Sequence, residues 1–230
     1  MIKTFIIRLE ENEHSCQMAK ECKEQALKYN LQPEFFKAIH GKDSEHHYEK
    51  TGIKPQGKFK KNRLGVVGCF FSHYYLWQKC IDLNEPIVIL EHDGFVIKDI
   101  DPSLLDTFND VLKLDRLDPY DVKYNRKIEQ ESNLSTTVQP YNYNNKKVRK
   151  VELGDYFKGA YSYIIKPQGA QKLIDFISIN GHRPADQQIN SAILELKTTV
   201  PTLARLHPFY AIGNNIQTAS LTRNLGDSNV

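Results

Sequence analysis

Apolar residues in this chain come in short dense runs, and the spacing inside each run names an element. Residues 2–9, Ile-Lys-Thr-Phe-Ile-Ile-Arg-Leu, read as a buried strand. A polar turn follows, from Glu10 to Glu13. From about Ser15 to Tyr29, Met18, Cys22, Gln25 and Ala26 fall at helical spacing. Phe35 to Ile39 read as a second short strand, closed by His40-Gly41. Strand, helix, strand predicts the opening of a nucleotide-binding α/β unit.

The polar stretch from Lys42 to Asn62, with Pro55, Gly57 and many lysines, reads as a loop. Gly65-Val66-Val67-Gly68-Cys69 leads into a long amphipathic helix over about Phe70 to Leu83. Pro86 to Leu90 is the clearest buried strand; it ends in Glu91-His92-Asp93-Gly94, and Phe95-Val96-Ile97 continues it after the break. Residues 121–150 change character, with Asn, Tyr, Ser, Thr and the basic residues Lys123, Arg126, Lys127, Lys146, Lys147, Arg149 and Lys150. That composition predicts a flexible or inserted basic loop. Tyr161 to Ile165 form a strand, Pro167 to Ile177 a helix opened by its proline, and Asp186 to Leu196 a further helix. The last 20 residues read as mostly irregular, and no internal repeat is visible.

With 230 residues, these elements make one domain over 1–230 carrying the insertion at about 121–150. A hydrophobic share of 40% and a charged share of 26% fit a globular core. The net charge of +3 permits phosphate binding without demanding it and is low for a dedicated nucleic-acid binder. Cys16, Cys22, Cys69 and Cys80 lack CxxC spacing, which argues against zinc-ribbon and thioredoxin-like chemistry. Cys69 sits in an apolar run and reads as a buried free thiol, as in a reducing cytosol. No run approaches the roughly 18 apolar residues of a membrane span. A soluble, cytoplasmic protein is the expectation.

Chemistry concentrates where strands end. An apolar strand keeps its side chains in the core and delivers Glu91, His92 and Asp93 to its carboxyl edge, where open α/β sheets bind ligands. Two carboxylates one residue apart can hold a divalent cation against a diphosphate leaving group; a plain polar turn is the alternative. Arg8 and Leu9 end the first strand, and Ile39, His40 and Gly41 end the second, where they can meet phosphate or base. Ser72-His73 on the long helix can contact a donor or acceptor, but no nucleophile elbow surrounds Ser72, so a helix-capping role competes. Leu76 and Trp77 read as core. Asp186 stands at a helix start, either as an N-terminal cap or as the ionised base for a sugar hydroxyl. His207 is a candidate third metal ligand, with a satisfied surface or core histidine as the alternative.

In order, these pieces resemble glycosyltransferase family 25, the lipooligosaccharide type with collagen-modifying relatives. The resemblance runs over about residues 2–190. It rests on Phe5 to Leu9, Phe36 to Gly41, Leu64 to His73 with Leu76-Trp77, Pro86 to Asp93, Gly159 to Ile165 with Pro167, Gly169 and Ala170, and Pro184-Ala185-Asp186. It implies a GT-A-like (Rossmann-like) fold with a central, mostly parallel sheet flanked by helices. It also implies a nucleotide-sugar donor, commonly UDP-linked, and a divalent cation, Mn²⁺ ahead of Mg²⁺. Glu91 and Asp93 would hold the cation and Asp186 would take the acceptor proton, inverting the anomeric centre. The family's triplet is Glu-Asp-Asp; here His92 replaces the middle acid, and an imidazole is itself a transition-metal ligand. The family's Arg after the first turn is absent, with Glu13-His14-Ser15 in its place, and Ala185 stands for the usual Val.

A cell-surface oligosaccharide is the expected acceptor. Hydroxymethylated DNA is the rival, since basic and aromatic residues at 121–150 suit phosphates and bases. A nucleotide-sugar-binding module without catalysis is the non-enzymatic alternative.

Overall fold

The computed structural model describes residues 1–56, 64–117, 123–142 and 154–207. The chain opens with β1 (Lys3–Arg8), α1 (Glu13–Lys28), β2 (Gln32–Lys37), a 3₁₀ turn (Gly41–Asp43), α2 (Ser44–Thr51) and α3 (Leu64–Leu83). Then come β3 (Ile87–Glu91), β4 (Gly94–Val96), β5 (Val111–Lys113), α4 (Tyr124–Glu131) and β6 (Thr137–Pro140). The remainder holds β7 (Ser162–Ile165), α5 (Pro167–Asn180), the one-turn α6 (Ala185–Gln188), β8 (Leu196–Val200) and β9 (Ala204–Leu206).

Seven strands form one sheet in the order β2-β1-β3-β7-β5-β8-β6. β1 is parallel to β2 and β3, and β5 is parallel to β8; β7 runs against β3 and β5, and β6 against β8. Five strands therefore share one direction and two oppose it, the mostly parallel α/β sheet the sequence predicts. Both faces are covered. On β3, Ile87 and Ile89 join one apolar cluster while Val88 and Leu90 join the other, the period-two alternation of a strand buried on both sides. The first cluster includes Phe70 and Trp77 of α3 and Leu173 and Ile177 of α5; the second includes Ala19, Cys22 and Ala26 of α1. Leu76 and Trp77 are core, as expected.

Several elements depart from the sequence reading. The stretch after Lys42 is not all loop: α2 occupies Ser44–Thr51 and stops at Gly52, whose φ of +69° is the left-handed C-cap. Only Ser44 and Tyr48 of α2 are buried, so no apolar period announces it. Its fixing is tertiary, with the Tyr48 hydroxyl 2.8 Å from His182 Nε2. The expected loop at 121–150 contains α4 and the edge strand β6. Its lysines and arginine at 146–150, like the tail beyond 207 and the residues around Gly57, lie outside the described residues. The helix expected over Asp186–Leu196 is α6 alone. Asn190 ends it, its Nδ2 donating to the Gln187 and Gln188 carbonyls and its Oδ1 accepting from the Ala192 amide, local bonds that compete with helix. Phe95 does not prolong β3: β4 leaves the main sheet and pairs with β9.

α3 begins earlier than its apolar period suggests, and Gly65 and Gly68 lie inside it. Gly68 is required by contact: a Cβ there would collide with the Ile39 carbonyl oxygen, and a Cβ on Gly41 with the Leu64 carbonyl. The helix can press onto the chain leaving β2 only because both Cβ atoms are missing. Gly68→Ala is expected to lower unfolding free energy by about 1–3 kcal/mol through overpacking, read as a fall in urea midpoint at constant slope. An unchanged midpoint would contradict the close approach.

Candidate functional site

The carboxyl ends of β1, β2, β3 and β5 converge on one edge of the sheet. There a cleft is lined by Ile7, Leu9, Ala38, Ile39, Gly41, Gly65, Cys69, Ser72, His73, Glu91 and His92. Its walls are mostly apolar, and polar groups come from α3 and the end of β3. That is the arrangement of a small-molecule site in an open α/β sheet.

Ser72 is not at a helix start but in mid-α3. Its Oγ donates to the Gly68 carbonyl and accepts from the Ile39 amide, both at 2.8 Å, so it ties the β2 exit loop to the helix. His73, one residue on, is fully buried and faces Glu91, its Nε2 3.3 Å from Glu91 Oε1. On the other side its Nδ1 lies 2.8 Å from the Tyr163 hydroxyl, which receives the Trp77 indole N–H at 2.9 Å. An indole N–H can only donate. The buried Tyr163 proton then goes to His73 Nδ1, and Nε2–H is left to donate to Glu91. Donors therefore run from Trp77 through Tyr163 and His73 to the Glu91 carboxylate.

Burial acts to raise the Glu91 carboxyl. The His73 hydrogen bond, with the charges of His73, His92 and Lys113, outweighs it and leaves the group below its ordinary value. Asp93 goes the other way, lifted to about 6 by burial with the like charge of Glu91 adding. Asp93 Oδ1, His92 Nε2, Ser162 Oγ and the Tyr161 hydroxyl are buried with no hydrogen-bond partner among the described residues. Orphaned polar atoms gathered at one strand edge mark a place built for a ligand. An acceptor oxygen with no donor, beside a second carboxylate, fits a divalent cation.

Asp186, on α6, is raised to about 6, first by burial and then by the charge of Glu91, against a hydrogen bond from the Gln187 amide. A carboxyl that titrates there suits a general base near neutral pH. The other candidates turn elsewhere. The Arg8 guanidinium pairs with Glu10 at 3.2 Å and lies 4.2 Å over the Phe35 ring. His40 Nδ1 accepts from the Lys42 amide at 3.1 Å, capping the 3₁₀ turn. His207 reaches Asp93 through its backbone N–H, which donates to the Asp93 carbonyl at 2.8 Å. Its Nε2 lies 2.9 Å from Glu21 on α1.

Sequence reasoning missed Lys113, Asp115 and Tyr161. Lys113 is buried at the end of β5, 3.5 Å from Asp115 and 4.3 Å over the Tyr161 ring; burial lowers its ammonium's pKa, with Asp115, Glu91 and Asp186 opposing. The signal was Val111-Leu112-Lys113-Leu114-Asp115, an apolar alternation delivering two charges, too short to stand out.

The profile of glycosyltransferase family 25, described as an LPS biosynthesis protein, matches residues 1–189. The chain belongs to glycosyltransferase family 25. The match takes in the cleft, Glu91, His92, Asp93 and Asp186, while His207 lies beyond it. A glycosyltransferase 25 family member from Aedes aegypti is 26% identical over 168 residues, 69% of this chain and 26% of that protein. The chain thus spans about a quarter of that relative's length. Among solved structures, apo mouse xyloside xylosyltransferase 1 is similar at 10% identity and a TM-score of 0.38, over 82% of this chain and 80% of its own. The galactosyltransferase LgtC, in complex with donor and acceptor sugar analogues, is similar at 9% identity and a TM-score of 0.40, over 86% of this chain and 73% of its own. No helix among the described residues is long and apolar enough to cross a membrane.

The raised Asp186 carboxyl makes a prediction about stability. Its folded value of about 6 exceeds the unfolded 3.8, so the folded state holds more protons between these values. Its contribution therefore falls as pH rises through that window and is fully unfavourable above it. Asp186→Asn keeps an oxygen for the Gln187 amide and removes the charge. Measured by urea unfolding with chelator present, it should gain about 1–3 kcal/mol at pH 7.5 and little at pH 4. An equal change at both pH values would count against the buried charge.

Proposed function

We propose that this family 25 chain transfers a sugar from a nucleotide-sugar donor, UDP-linked in the first instance, to a saccharide hydroxyl. The observation that carries the reading is the pair Glu91 and Asp93 at the carboxyl end of β3, with Asp93 Oδ1 buried and unpartnered among the described residues, and Glu91 lining an apolar-walled cleft. The family match supports sugar transfer as such.

In this mechanism the apolar cleft walls, Ile7, Leu9, Ala38 and Ile39, hold the nucleoside. Glu91 and Asp93 would hold a divalent cation, Mn²⁺ rather than Mg²⁺, while the His207 imidazole is engaged by Glu21 at 2.9 Å. The bound cation supplies the positive charge that makes the nucleoside diphosphate a competent leaving group. His73 fixes the Glu91 carboxylate through the Nε2–H bond. Asp186 accepts the acceptor's hydroxyl proton while that oxygen bonds to the anomeric carbon and the bond to the diphosphate breaks, inverting the centre. Lys113 adds a fixed cation near Glu91 and Asp186 that favours the ionised base.

The test is nucleotide release from a panel of UDP-, GDP-, CMP- and TDP-sugars, with Mn²⁺, Mg²⁺ or chelator. Oligosaccharides and hydroxymethylated DNA serve as competing acceptors. Release from one donor, stimulated by a saccharide and lost with chelator, is the expected result. Asp93→Ala should lower turnover by about a hundredfold or more, since removing a ligand weakens several kcal/mol of charge stabilisation. Turnover that ignores both chelator and this substitution discards the metal role. Release stimulated only by DNA, and lost steeply with salt, replaces the acceptor. A folded protein that binds donor and releases nothing is a binding module.

A further inference from the structure

The cleft holds a second set of ligand atoms, chemically unlike the carboxylate pair. Cys69 and His73 stand four residues apart on α3, so both project from one side of the helix, and Glu91 faces them from the end of β3. One ligand atom from each, the thiol sulfur, an imidazole nitrogen and a carboxylate oxygen, lies within 4.8 Å of the other two. His73 Nε2 and Glu91 Oε1 are already 3.3 Å apart. Around a tetrahedral zinc ion, with bonds of about 2.0–2.3 Å, such atoms stand roughly 3.4–3.6 Å from one another. The sulfur side has to close from at most 4.8 Å, a movement of no more than about 1.4 Å.

Two further features belong to a metal site rather than a chance cluster. A metal-bound imidazole normally has its other nitrogen held by a hydrogen bond, and His73 Nδ1 has the Tyr163 hydroxyl at 2.8 Å. The Tyr163 oxygen has two lone pairs, enough to accept both the Trp77 N–H and a His73 Nδ1–H. All three ligands also line the same cleft, so a fourth position opens towards solvent or substrate.

We propose that Cys69, His73 and Glu91 form a thiolate–imidazole–carboxylate site for a thiophilic divalent cation, Zn²⁺ above all, distinct in chemistry from the oxygen pair Glu91 and Asp93. Sulfur and nitrogen donors select zinc, whereas carboxylates alone suit manganese or magnesium. Binding replaces the S–H bond with an S–Zn bond and releases that proton to solvent. The imidazole stays neutral, its proton moving from Nε2 to Nδ1. Burial and the nearby acidic groups hold the free thiol protonated, and a dication reverses the local field. Because Glu91 belongs to both sets, zinc excludes the cation used in transfer and acts as an inhibitor; this consequence alone rests on the function proposed above.

Cobalt(II) is the probe, titrated into the metal-free full chain. A one-to-one complex with the visible bands of four-coordinate Co²⁺ and a near-ultraviolet thiolate-to-cobalt charge-transfer band is expected, both abolished by added Zn²⁺. Cys69→Ser should remove the charge-transfer band and weaken cobalt binding at least about tenfold, while Cys16→Ser, at the other partly exposed thiol, leaves both intact. Absence of the charge-transfer band in the wild type overturns the site, as does its persistence in Cys69→Ser. In the transfer assay, zinc inhibition relieved by excess Mn²⁺ and weakened in Cys69→Ser supports the shared carboxylate. Cobalt bound through Cys69 by a protein that transfers no sugar confirms the metal site and counts against the transferase reading alone.

Discussion

A file of hydrogen bonds crosses the apolar interior from Trp77 on α3 to Tyr163 on β7, back to His73 on α3, and out to Glu91 on β3. Every donor in it lies in the core, where an unmade bond would cost about 1–3 kcal/mol, so the groups hold one another to a single arrangement. The arrangement fixes α3 against two adjacent strands. It also fixes the direction of the one carboxylate on which the whole strand edge is centred. Gly68 and Ser72 complete the constraint by locking the helix to the chain leaving β2.

Around that anchored carboxylate the electrostatics divide the neighbouring acids by role. Glu91, hydrogen-bonded by His73, is kept ionised, while Asp93 and Asp186 are both lifted to about 6 and respond to whatever charge arrives. A cation lowers the cost of ionising Asp93, and the buried ammonium of Lys113 lies where it favours ionised Asp186. The edge therefore gathers acids whose ionisation depends on the charges beside them. The same carboxylate also faces a thiol and an imidazole. Oxygen, sulfur and nitrogen donors of different softness thus meet at one fixed carboxylate.

The long apolar runs were legible. Ile87 to Leu90 is a strand in the structure as in the sequence, because a segment buried on both faces must be apolar at every position. Its carboxyl end then had to carry Glu91, His92 and Asp93 to the ligand edge. Short or polar elements were not legible. Val111–Lys113 is three residues long, and α2 buries only Ser44 and Tyr48, so neither displays a period. The helix expected after Asp186 failed for a local reason, the side chain of Asn190 bonding to the backbone.

The sequence by itself determined the α/β class, the strand that bears the acidic pair, and the family resemblance. All of these reside in contiguous residues whose order is their information. The tertiary structure alone decided that β7 runs against its neighbours and that His73 meets Glu91. It alone placed Lys113 at the same edge and turned Cys69 towards both. Those contacts join residues 18 and 90 positions apart, as in His73–Glu91 and His73–Tyr163, and which distant groups meet is set by how helices and strands pack rather than by their spacing along the chain.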